Sequence, residues 1–222
     1  MWYAGRSLPA IDVTQVVIGL LVLLISLTVH EAAHAWSADR LGDSTARSLG
    51  RVSLNPIVHI DPIGTIVFPL IAILTSLPVI GWARPVPVNV RQLGLNWRGK
   101  FMAIAAAGPA SNLVIAAAAA IVLAVVRTPD GGVGLVAAGP LTRLLEGAVF
   151  INVLLAVFNL VPIPPLDGGN VLSGLLSGAA AAAFDTLRPF GFLILYALMY
   201  TGTLSAIITP PALFLLTMLG VR

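Results

Sequence analysis

His30 and His34 stand at i and i+4, with Glu31 directly after the first. On a helix that spacing puts both imidazoles on one face, about one turn apart. Two ring nitrogens so placed can fill two positions around a tetrahedral zinc ion. Glu31 can then reach a water at the metal rather than the metal itself, the His-Glu-x-x-His arrangement of zinc hydrolases. The chain contains 3 His and no Cys, so disulfides and thiolate metal sites are excluded. Catalytic zinc usually takes three protein ligands and keeps one position open. Asp167 is the strongest candidate for the third. It ends the run Asn159-Leu-Val-Pro-Ile-Pro-Pro-Leu-Asp167 and is followed by Gly168-Gly169, a composition that dismantles a helix. Its other reading is a cap for a helix over 168–177. The third histidine, His59, lies in Asn55-Pro-Ile-Val-His-Ile-Asp-Pro62. It is either an interfacial ring bonded to Asp61 or a loop carbonyl, or a residue at the mouth of the site, as a reversible fourth ligand or proton relay.

The elements that must position these groups are membrane helices. Of 222 residues, 58% are hydrophobic and 9% charged, with a mean hydropathy of +1.00. A soluble domain carries about 25% charged residues, so a soluble globular enzyme and a polar disordered chain are both excluded. The net charge of +3 is scattered, which argues against a nucleic-acid partner and for a role in membrane orientation. The apolar run from Val13 continues into the histidine motif and exceeds the ~7–15 residues of a signal-peptide core. It predicts a retained transmembrane helix over 13–38. Further apolar segments are Ile63–Trp82, Phe101–Val126, Leu141–Val161 and Phe190–Leu219, the last broken by Gly202 and Pro210-Pro211. The expected fold class is an all-α polytopic membrane protein of about five to six membrane segments.

A charge near the bilayer centre costs ~2.5–3.5 kcal/mol, so a His/Glu cluster inside a membrane helix is best explained by a bound cation. The competing reading is a polar cluster bonded to Trp36 or Asp39. Irregular backbone at membrane depth is tolerated only where it is buried or lines a wet cavity, which aims Asp167 into such a cavity. Arg40, Arg47, Arg51, Arg84, Arg91, Arg98 and Lys100 lie in the two short pieces Ser37–Asp61 and Ala83–Lys100. Basic loops favour the cytoplasm. Both can lie there if Ile63–Trp82, with Pro69 and Pro78, enters and returns; one full crossing would separate them. The re-entrant form is expected, with the active site opening toward the cytoplasm of a cell (plasma or inner) membrane.

With these motifs in order, the sequence resembles the site-2 protease family of intramembrane zinc metalloproteases. The resemblance rests on His30-Glu31-Ala32-Ala33-His34 in a membrane helix, on Gly108-Pro109-Ala110-Ser111-Asn112, and on Asn159 with Leu166-Asp167-Gly168. It covers about 13–178 and is to the short members without PDZ or CBS domains. It implies one Zn2+ per chain held by His30, His34 and Asp167, with Glu31 as catalytic base. Asn159 matches a family residue near the metal that helps hold the substrate carbonyl or the oxyanion; Asn112 matches a family Asn of less defined role. A small membrane-associated β element is implied, with Arg51–Leu54 and Pro85–Val90 as its segments. The implied organisation is a single integral membrane protease domain, 1–222, with a catalytic core at about 13–178 and a C-terminal membrane segment or hairpin at 189–220. The implied partners are a transmembrane-helix protein substrate and the lipid bilayer. The alternatives are a membrane metal-binding or metal-transport protein using the same His/Asp cluster, and an inactive scaffold. One compact cluster without internal repeats favours the enzyme over a transporter, and an intact Glu31 over a scaffold.

Overall fold

The computed structural model describes residues 13–68, 71, 81–127 and 139–221. Among them the chain is helical and contains no strand. Three long helices form the frame: α1 (Val13–Arg40), α2 (Trp97–Val126) and α3 (Pro140–Asn159). Short α4 (Asp167–Leu175) and α5 (Gly178–Asp185) follow, then α6 (Gly191–Tyr200) and α7 (Thr203–Met218). α1, α2, α3 and the interrupted stretch Gly178–Tyr200 are long and apolar enough to cross a membrane, and Thr203–Met218 is a shorter apolar helix.

The ends of these helices follow local chemistry. α1 stops where Gly42 adopts φ +110°, which side chains disfavour. α3 starts at Pro140, whose missing N–H costs nothing at a first helical position. The run Phe190–Leu219 breaks at Gly202 (φ +74°), whereas Pro210 and Pro211 are carried inside α7.

α2 is the central element. It packs against α1, α3 and α4, while α3 also packs on α1 and α7. His34 meets Ile104 and His30 meets Asn112, so α1 and α2 run antiparallel. Asn112 meets Asn152 and Arg127 pairs with Glu146, so α2 and α3 are antiparallel as well. Small residues Ala116, Ala119 and Ala120 let α2 approach α3 closely, against Val149 and Val153. The outer faces remain apolar: Val17, Leu21, Val125, Leu193 and Phe214 are all exposed. Helices apolar on every side need a solvent that is itself apolar, as lipid is.

The segment between α1 and α2 is irregular. Arg51–Leu54 and Pro85–Val90, the expected β element, do not form a strand ladder. Pro85 and Pro87 lack the N–H that regular pairing requires. Of Ile63–Trp82, residues 69, 70 and 72–80 lie outside the described residues. Its two ends are joined: Trp82 N–H donates to Gly64 O at 3.1 Å, and Thr65 Oγ1 donates to Trp82 O at 2.9 Å.

Candidate metal centre

His30 and His34 are both buried, on the face of α1 that meets α2. Their Nε2 atoms lie 3.1 Å apart. Asp167 Oδ2 lies 3.0 Å from the Nε2 of His30 and 3.3 Å from that of His34. One ligand atom from each of the three residues thus falls within 4.8 Å of the others. The Nδ1 atoms point away, His30 to Asn112 Oδ1 at 2.5 Å and His34 to the carbonyl of Ile104 at 2.7 Å. With the proton on Nδ1, each Nε2 keeps its lone pair for a cation.

Asp167 reaches this point because the chain turns sharply after α3. Pro162, Pro164 and Pro165 end the helix, and the Pro164–Pro165 bond is cis. Gly168 and Gly169 are buried against the turn; a Cβ on Gly169 would come within 2.7 Å of Pro164 N. Asp167 therefore opens α4 with its carboxylate on the histidines, and no side chain caps that helix. Trp36 stacks against Arg40, and Asp39 pairs with Arg47, so neither of the alternative partners named for the cluster is bonded to it.

The three residues line a cavity of about 920 Å3 together with Glu31 and Asn159. Asn159 Nδ2 donates to Leu155 O at 2.9 Å. The other walls are largely apolar, with Trp82 packed edge-on to Phe68 at 5.0 Å and tilted against Phe192 at 5.9 Å. Ala83, Pro85, Val86 and Val88 form one side. That side is pinned at both ends: Arg84 N–H donates to His59 O at 2.8 Å, and Asn89 N–H donates to Asp43 Oδ2 at 2.6 Å. Asp43 is fully buried and also accepts from Thr45 N–H at 3.0 Å. It was not singled out in the sequence, although its place after the helix stop Leu41-Gly42 is where an Asp turns the chain.

His59 does not line the cavity. Its buried ring donates from Nε2 to Ser53 O at 2.8 Å, the loop-carbonyl bond that was one of its two readings. Asn112 is fully buried between His30 and Asn152, and Asn152 is a further polar residue that sequence reasoning missed.

The donor set suits zinc: two imidazole nitrogens and one carboxylate oxygen, convergent and shielded. Gly108 leaves room for an ion, since a Cβ there would strike the Nε2 atoms of both histidines. The comparisons agree with this chemistry. The description "Peptidase family M50" matches residues 124–200. The chain is 35% identical over 193 residues to "Putative zinc metalloprotease YwhC" of Bacillus subtilis, covering 86% of this chain and 84% of that protein. It is 30% identical over 214 residues to "Putative zinc metalloprotease Rip2" of Mycolicibacterium smegmatis, covering 92% of this chain and 75% of that protein. No solved structure matches it. On these similarities, the chain belongs to the site-2 protease family, the membrane zinc metalloproteases of peptidase family M50.

Proposed function

We propose that this chain hydrolyses peptide bonds in or near transmembrane segments of other membrane proteins, the reaction of regulated intramembrane proteolysis. The observation that carries the reading is the meeting of His30, His34 and Asp167 with Glu31 on one cavity among apolar helices. His30, His34 and Asp167 hold the metal. When bound, zinc supplies Lewis-acid polarisation of a scissile carbonyl and lowers the pKa of a water toward ~7. Glu31 takes a proton from the attacking water and returns it to the leaving amine. Asn159, at the cavity wall, turns its amide from Leu155 O to the substrate carbonyl or the developing oxyanion.

The apolar walls suit an apolar segment with its backbone exposed. A substrate helix must unwind locally to present that backbone. The segment at Pro85–Val90, whose Pro85, Val86 and Val88 line the cavity, holds it by β-addition, limited to alternate backbone groups by its prolines. Replacing Val86 and Val88 by proline is expected to lower turnover; unchanged turnover would remove the wall from the binding site. The chain acts as one integral membrane domain in the cell membrane, its cavity opening to the cytoplasm beside the basic segments. The joined ends of Ile63–Trp82 support that arrangement, since a segment that enters and returns would keep the two basic pieces on one face.

The deciding experiment uses Glu31→Gln in purified protein with a model transmembrane substrate. Zinc content should remain at one ion per chain while cleavage is lost. If the variant cleaves as well as the unmodified protein, Glu31 is not the base and the reading fails.

A further inference from the structure

We infer that Asn152, a residue of α3 that neither lines the cavity nor hydrogen-bonds to either histidine, is a positioning residue that selects the metal-binding tautomer of His30. The inference rests on the reading of His30 as a ligand. A ligating His30 needs its proton on Nδ1 and a bare Nε2. The group facing Nδ1 is the amide of Asn112, and an amide is two-faced: its oxygen accepts, its nitrogen donates. With its NH2 toward the ring, Asn112 would favour the tautomer protonated on Nε2, which leaves no lone pair on the nitrogen that faces His34 and Asp167. The direction in which Asn112 points therefore decides whether His30 is a ligand.

His34 needs no such device. Its Nδ1 faces the Ile104 carbonyl at 2.7 Å, a backbone group that can only accept. For His30 the backbone acceptor lies two amides away. Asn152 Nδ2 donates to Ala148 O at 2.8 Å and to Ser26 Oγ at 2.8 Å. Because Ala148 O can only accept, the NH2 of Asn152 is fixed on that side and its Oδ1 is turned to Asn112. Asn112 Nδ2 donates to that oxygen at 2.7 Å, with a longer contact to Ser26 O at 3.5 Å. A flipped Asn112 would set its own oxygen against both of these acceptors. Asn112 must therefore present Oδ1 to His30, and His30 must donate from Nδ1. Ser26, Asn112 and Asn152 are each at most 1% exposed, so water does not offer a competing partner.

The test uses the whole protein in detergent or nanodiscs and needs no substrate. Asn152→Leu keeps the branched shape but removes the oxygen that orients Asn112. Asn152→Asp, carrying its proton, keeps both an oxygen toward Asn112 and a donor toward Ala148. Zinc affinity by chelator competition should fall about 10–100-fold in Asn152→Leu, the usual cost of losing a ligand's outer hydrogen bond, and stay within about threefold in Asn152→Asp. The rescue by Asn152→Asp is the readout that a merely structural role would not give, and the melting temperature of each variant separates lost orientation from lost fold. The inference is overturned if Asn152→Leu leaves affinity unchanged, or if Asn152→Asp weakens zinc by tenfold or more. A role for bulk alone predicts that both variants, which keep the branched shape, retain zinc. If the unmodified protein binds zinc and the ranking holds but nothing is cleaved, the proposed function falls and this inference stands.

Discussion

At Gly108 one methyl group would occupy the space in front of two imidazoles. Gly108→Ala should lose zinc affinity on the order of 100-fold or more, read by chelator competition, while the helices still form. Full retention would mean that α1 and α2 do not approach as described. Asp167→Asn tests the proposed third ligand separately. Loss of its negative charge should weaken zinc about 10–100-fold, where Glu31→Gln leaves zinc in place. His59→Ala should keep both zinc and cleavage, because the ring is bonded to Ser53 O and stands outside the cavity. Its cost is stability, about 1 kcal/mol for the lost buried hydrogen bond, seen as a lower melting temperature with unchanged metal content.

At the level of elements, the cavity takes its convergent His and Asp side chains from one regular helix and one broken one, and one of its walls from a pinned loop. These three were unequally legible. The histidine pair could be read directly, because i and i+4 share a face wherever α1 goes. Asp167 was legible through the prolines and glycines around it, whose backbone effects are local. Asn152 was not, because a single Asn in an apolar span carries no pattern; its meaning comes from Asn112, 40 residues away in sequence. Asp43 was hidden for the same reason, since its partner is the backbone of Asn89. Asp43→Ala would leave the N–H groups of Thr45 and Asn89 without their acceptor, at about 1–3 kcal/mol for each one that stays buried. The wall at 83–89 would then loosen. The expected result is normal zinc content with a raised KM for a membrane substrate; an unchanged KM would show that the wall does not position substrate.

The whole molecule has two ends, and their assignment to the two faces of a membrane is testable because the chain has no native cysteine. Gln15, Arg127, Arg143 and Glu146 gather at one end, around a small cleft. The cavity, Arg98 and the pinned loop lie toward the other, where α1 ends and α2 begins. Three antiparallel helices fix this alternation. The one route by which the loop could be split between faces is a single crossing by Ile63–Trp82, and the bond from Trp82 N–H to Gly64 O opposes it. Single cysteines at Ser48, Arg91 and Arg143, all exposed positions, report the result with a membrane-impermeant maleimide. Ser48→Cys and Arg91→Cys should label only in inside-out vesicles, as basic loops on the cytoplasmic face would. Arg143→Cys should label only in intact cells. If Ser48→Cys and Arg91→Cys label from opposite sides, the segment between them crosses once and the two basic pieces lie on different faces. If all three orientations are inverted together, the cavity keeps its architecture but opens to the outside, and the substrates must present their scissile bonds from that face.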